Sequence, residues 1–278
     1  MGFNSIRNNI DHDEYEYSHP TIEGVYPLAE KMLSENAVNP EIFTDLYGKE
    51  NVERDINKVK EYESKFSPDS AKKTAEVFEA IMLTGELHNW FGQNTETIKT
   101  SRFDDIINGT DMIIEFEEEA NKRFSHLGVA VDVTFGTTSL EKKFTRIRDE
   151  IDRGKLAKIK YFHSQKEHFR GERSNIPRVV IGVEKNKVIE LAALWLRKEN
   201  LALSKHPVQR LILEEMALQL EILKNYCEKT EKHDLAPLYE KDLAIIQNIL
   251  KEKSGIKLTD ELMNDKIFQG IRENLMKF

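Results

Sequence analysis

SRFDDIINGTDMIIEFEEEANKRFSHLGVAVDVT, residues 101–134, is the stretch around which the rest of the chain is organised. It holds two short apolar runs, each tied to an acidic residue. Met112-Ile113-Ile114 follows Asp111 and a Gly109-Thr110 turn, and Leu127 to Val133 carries Asp132 near its end. Both runs are aliphatic or β-branched, short, and bounded by turn or polar residues, which is the pattern of buried strands. Side chains alternate across a strand, so Ala130, Asp132 and Thr134 face one way and Val129, Val131 and Val133 the other. An unpaired carboxylate inside such a strand is expensive. Asp132 therefore needs a partner, either a structural ion pair with Lys142 or Arg146 or a metal ion. For Asp111 the bland role is a turn residue capping the Gly109-Thr110 bend.

Outward from this stretch the pattern turns helical on both sides. Met1 to Pro20 is polar and acidic and reads as a mobile tail or loosely packed arm. Thr21 to Phe66 has apolar residues at helical spacing, interrupted at Asn39-Pro40, with a second helix over Asn51–Ser64. Ser67-Pro68 starts a helix running to about Trp90. Glu79 and Glu86 share one side of it. Strands are expected over Ser101–Ile107, Asp111–Phe116 and Leu127–Phe135. A helix capped by Ser139 follows, carrying Leu140, Phe144, Ile147 and Ile151. Ile159–Phe162 reads as a short strand or a helix end, Arg170 to Arg178 as a polar loop leading to a buried strand at Arg178–Val183. Helices cover Pro207–Glu228, Leu235–Lys251 and Thr259–Met276. The expected organisation is a tail and helical region over residues 1–66, an α/β core with a small mixed central sheet over 67–200, and a helical region over 201–278.

Composition excludes several classes. The net charge of −8 argues against nonspecific polyanion binding by the chain as a whole. No apolar run is long enough for a transmembrane helix, and the N-terminus lacks a signal-peptide core. One cysteine, Cys227, permits no internal disulfide and fits a reducing, cytoplasmic setting. There is no GxGxxG, Walker A, HExxH or Cys/His zinc spacing.

If the second and third strands pair antiparallel, Asp111 and Asp132 can meet on one face. Two carboxylates plus a backbone carbonyl form a hard oxygen site suited to Mg²⁺ or Mn²⁺. With these residues the segment from Ser67 to Glu184 resembles the PD-(D/E)XK nuclease superfamily. The resemblance rests on the helix with Glu79 and Glu86, Gly109-Thr110-Asp111 before an apolar run, Val131-Asp132-Val133-Thr134 ending the next, and the helix and strand that follow. It implies an αβββαβ, restriction-endonuclease-like core and metal-dependent hydrolysis of phosphodiester bonds in nucleic acid, here DNA. Asp111 and Asp132 would then be the motif carboxylates, and Glu79 or Glu86 the helix glutamate that completes the metal shell.

The chain departs from the motif at Thr134, where a lysine is expected. The resemblance offers Lys143, or Lys142, from the following helix as a replacement. Asp105, with Asp104 beside it, could contact the metal or simply begin a turn, and Glu115 shares a strand face with Asp111. Lys142, Lys143, Arg146, Arg148 and Arg153 make the helix locally basic, either a phosphate-facing edge or a solvated face with internal ion pairs. The competing reading is the same fold without catalysis, binding nucleic acid or protein. The helical flanks could also form a homodimer interface.

Overall fold

A computed structural model describes residues 19–65, 70–84, 89–118, 123–132 and 137–278. Glu86 and Thr134, and the tail expected over Met1 to Pro20 except its last two residues, lie outside the described residues. The N-terminal helices are α1 (Pro20–Asn36), α2 (Thr44–Tyr47), α3 (Lys49–Glu63) and α4 (Ser70–Leu83). The central elements are β1 (Thr95–Lys99), α5 (Arg102–Ile106), β2 (Met112–Glu118), β3 (Arg123–Asp132), α6 (Thr137–Asp152), β4 (Ala157–Ser164), β5 (Phe169–Ile176) and β6 (Arg178–Gly182). The remainder is helical: α7 (Lys185–Leu196), α8 (Asn200–Ser204), α9 (Val208–Lys229), α10 (Ala236–Glu252), α11 (Asp260–Met263) and α12 (Lys266–Leu275). Among the described residues no helix is long and apolar enough to cross a membrane.

The protein is thus mixed α/β, with a four-stranded sheet in the order β1-β2-β3-β6 and a separate β4–β5 hairpin. β1, β2 and β3 pair antiparallel, Met112 opposite Val129, and β6 joins β3 in parallel. Met112, Ile114, Leu127 and Val129 enter the main core together with Val77, Phe78 and Ile81 of α4. Ile98 and Ile113, in the opposite phase of the pleat, pack on Ala157, Ile159, Phe162 and Ile176 of the hairpin. α6 lies against β3 and β6 and buries Leu140, Phe144, Ile147 and Ile151, the helical stripe read from the sequence.

β6 ends the sheet, and its outer edge would expose backbone donors and acceptors. Helix α9 covers that edge. Gln219 accepts from the Val180 amide at 2.8 Å and donates to its carbonyl at 2.6 Å, and Glu215 accepts from the Gly182 amide at 3.1 Å. Two side chains thus do the work of a neighbouring strand. Gly182 itself must be glycine, because a Cβ there would come 1.8 Å from the Asp132 carbonyl oxygen.

Several local expectations need correction. The strand expected over Ser101–Ile107 is helix α5, and the first strand lies earlier, at Thr95–Lys99. The Ser101 hydroxyl accepts from the Asp104 amide at 3.1 Å and donates to the Asp104 carboxylate at 2.7 Å, and this cap overrides the apolar content of the stretch. The helix expected from Ser67 to about Trp90 is described from Ser70 and ends at Leu83; its expected start lies outside the described residues. The polar loop before Arg178 is strand β5, whose alternation is hidden by one exposed face. The last helix is split at Asp265, whose carboxylate caps α12 through the amides of Ile267 and Phe268.

Candidate active site

α4, the α5–β2 turn, β3 and α6 enclose a cleft of about 530 Å³. Glu79 from α4, Asp105 from α5 and Asp111 at the mouth of β2 line it. Three pieces of local structure bring them there. The α5 cap sets Asp104 and Asp105 on adjacent positions of one turn. Asn108 and Gly109 then reverse the chain, Gly109 at φ 66°. The reversal is held from β6 and α6. Arg178 donates to the carbonyls of Asn108 at 2.6 Å and Gly109 at 3.1 Å, and Arg146 to that of Ile107 at 2.7 Å. Finally, Asp111 extends the β2–β3 ladder by one step: its amide donates to the Val129 carbonyl at 2.9 Å and its carboxylate accepts from the Val131 amide at 2.7 Å.

A buried lysine sits among these acids. Lys99, 2% exposed, donates to Glu79 Oε2 at 2.9 Å, to Asp105 Oδ2 at 3.1 Å and to the Asp111 carbonyl at 3.0 Å. Arg102 reaches Asp105 at 2.9 Å while sharing its charge with Glu63. Asp105 and Asp111 also touch carboxyl to carboxyl. The electrostatics follow. Burial lifts the Asp111 carboxyl well above the usual range, and the charges of Glu79 and Asp105 push it further. Burial likewise raises Glu79, against the pull of Lys99. Burial would raise Asp105 too, but Lys99 and Arg102 hold it below the usual range. The lysine's own pKa is raised, since Asp105 and Glu79 outweigh its desolvation. The fold thus drives the two carboxyls apart in acidity, Asp111 becoming the weaker acid and Asp105 the stronger.

Asp132 is not part of this group. The register that pairs Met112 with Val129 sets Asp111 across from Ala130, so Asp132 lies two residues further, past the first residue of β2. Its carboxylate accepts from Ser139 Oγ at 2.7 Å and pairs with Lys143 Nζ at 3.2 Å. Lys143 also donates to the Val131 carbonyl and stands close enough to Asp111 to lower its pKa. Lys142 is exposed, lines the cleft and continues into a second groove along α6 with Arg146 and Arg153.

Asp104, the neighbour of Asp105, has a different fate. It is fully buried and its carboxylate accepts four hydrogen bonds: from Ser101 Oγ at 2.7 Å, Asn108 at 2.6 Å, and the amides of Lys160 at 2.7 Å and Tyr161 at 3.0 Å. It ties α5 to β4. Glu115 lies elsewhere as well, in a group with His126 and Glu167. Its oxygens are taken by Ser164 at 2.9 Å and His126 at 3.0 Å, while Glu167 is paired with Arg173.

The residue that sequence reasoning missed is Lys99. In TETIK, Thr95 and Thr97 share its strand face, and both are polar, so no local apolar pattern marked Lys99 as buried.

Glu79, Asp105 and Asp111 supply only oxygen, the donor a hard divalent cation takes, but the three carboxylates do not all come within 4.8 Å of one another, whereas Glu115, His126 and Glu167 do. With Arg102 offset by Glu63, these three carboxylates against Lys99 leave two negative charges when all are ionised. No protein-family model, curated protein or solved structure matches the chain.

Proposed function

We propose that the protein is a divalent-metal-dependent nuclease of PD-(D/E)XK type that hydrolyses phosphodiester bonds in DNA. The observation that carries this reading is the convergence of Glu79, Asp105 and the Asp111 backbone on Lys99, at the floor of a cleft with an exposed lysine on its rim. The order α4-β1-β2-β3-α6-β6, with α5 and the β4–β5 hairpin as insertions, supports the αβββαβ core that the resemblance implies.

Asp111 and Asp105 would hold Mg²⁺ or Mn²⁺, with Glu79 on the far side of the Lys99 ammonium. The ion supplies charge neutralisation at the phosphodiester and a lowered pKa for the attacking water. Asp132 acts one step removed: with Ser139 and the Val131 carbonyl it fixes the Lys143 ammonium on the side of Asp111. Lys143 there takes the part of the motif lysine, positioning the water or the phosphate. Lys142, exposed at the rim, contacts the backbone of the substrate without reading its sequence.

The test is purified protein with Mg²⁺ or Mn²⁺ on single- and double-stranded DNA, beside Asp111→Asn and Asp132→Ala. Cleavage that survives unchanged in both variants would trace to a contaminant and remove the reading. One observation favours a second reading, a nucleic-acid-binding module without catalysis: Lys99 and Lys143 already neutralise much of the acidic charge without a metal. Metal-independent DNA binding with no cleavage selects that alternative.

A further inference from the structure

Resting on the hydrolase reading, we infer that Lys99 limits this site to one divalent cation by filling the place a second ion would need. Two-metal hydrolytic sites hold their ions about 3.5–4 Å apart, bridged by shared carboxylates. Here the space between Glu79 and Asp105 is bridged by the Lys99 ammonium, 2.9 Å from one and 3.1 Å from the other. A divalent ion bound by the same two oxygens would need them at about 2.1 Å. It would have to displace an ammonium whose third donor is fixed on the Asp111 carbonyl at 3.0 Å.

Lys99 cannot easily move aside. It is 2% exposed, its three donors have three acceptors, and the strand that carries it is paired with β2 up to Lys99 itself, opposite Met112. Retracting it would leave a buried ammonium with no partners, a large penalty in a low-dielectric setting. The charge count agrees: two net negative charges on Glu79, Asp105, Asp111 and Lys99 match one divalent ion and not two. Lys99 is therefore a positioning residue. It touches no substrate, and it sets which carboxylate oxygens remain for the single ion at Asp111 and Asp105.

The experiment counts Mn²⁺ on the full chain by equilibrium dialysis and electron paramagnetic resonance, with no nucleic acid present. The wild type is expected to bind one Mn²⁺ per chain in this site, lost in Asp111→Asn, with the spectrum of an isolated ion. Two ions, or a spin-coupled pair, overturn the inference and leave the hydrolase reading standing; no bound ion overturns both. Lys99→Met is expected to bind two ions with a coupled spectrum, and Lys99→Arg, which keeps the charge, to hold at one. A folded Lys99→Met protein that still binds one ion also overturns the inference. If Lys99→Met does not fold, the wild-type count and spectrum decide alone.

Discussion

Asp104 and Asp105 are neighbours on one helical turn, yet the fold treats them oppositely. Asp104 receives four hydrogen bonds, two of them from β4 amides more than fifty residues away in the chain, which satisfy both of its oxygens. Burial raises its pKa, and those four bonds oppose the rise. Asp105 receives Lys99 and Arg102, and it leans on a second carboxyl, Asp111, which takes one backbone donor among the described residues. Burial alone does not distinguish a structural acid from a reactive one. The distinction lies in how much of the carboxylate's hydrogen-bonding capacity the fold has already consumed, and in whether the remainder faces a cleft.

The largest expected effect breaks the structural side of this comparison. Asp104→Ala would strand the amides of Lys160 and Tyr161 and unfasten α5 from β4. A loss of about 3–5 kcal/mol is expected in urea unfolding. A loss below about 1 kcal/mol would mean that Asp104 is no more an anchor than its neighbour. Asp111→Asn should do the reverse, cutting cleavage by about 100-fold or more while leaving the fold intact. Its stability at alkaline pH should equal or exceed the wild type. The Asp111 pKa lies above its unfolded value, so the folding advantage of the neutral carboxyl is complete below the unfolded pKa and is lost as pH rises through the folded one. Asparagine removes that loss along with the repulsion from Glu79 and Asp105. An Asp111→Asn protein that unfolds more readily would class Asp111 with Asp104.

How far the sequence foretold this division depends on range. The runs at Met112–Ile114, Leu127–Asp132 and Arg178–Gly182 are strands, and the stripe Leu140-Phe144-Ile147-Ile151 is a buried helix face, because periodicity is local information. Asp111 and Glu79 were legible as candidates for the same reason: an acid beside or within an apolar pattern is conspicuous. The separation of Asp132 from Asp111 was not, since it depends on a register offset of two residues between β2 and β3 that no single strand reveals. Lys99 escaped because its acidic partners come from α4, α5 and the start of β2, and because the Ser101 cap turned the expected first strand into a helix. Nothing local to Asp104 announces that Lys160 and Tyr161 will be its donors.

Asp242 sharpens the comparison by separating burial from function. It is buried on α10, one oxygen accepts from Ser125, and the other has no hydrogen-bond partner among the described residues. Burial pushes its pKa up to about 7, despite that bond. It borders no cleft described above, so it should act on stability alone. Its contribution is fully present below the ordinary carboxylate pKa and lost as pH climbs through about 7. Asp242→Asn should therefore flatten the decline in stability between pH 5 and 8.5, a difference on the order of 3 kcal/mol, with cleavage unchanged. A change in cleavage but not in the pH profile would show that an under-supplied buried carboxylate can act on the site from a distance.

The smallest effect concerns the rim. Lys142 and Lys143 are adjacent on α6, and the difference between them repeats that between Asp105 and Asp104 with the sign of charge reversed. Lys143 is fixed by Asp132 and the Val131 carbonyl, whereas Lys142 is exposed and lines both the cleft and the groove beside it. An exposed cation contributes little to folding, so Lys142→Glu should shift stability by less than about 0.5 kcal/mol. Its influence should be felt in the encounter with a polyanion. Affinity for DNA should fall several-fold, uniformly across sequences, and the dependence of log affinity on log salt should become shallower by about one phosphate contact. The maximal rate at saturating DNA should hold, because Lys142 stands apart from the carboxylates proposed to hold the ion. If the maximal rate falls and the salt dependence does not change, Lys142 belongs to the chemistry, and the division between a fixed lysine at the floor and an exposed one at the rim is wrong.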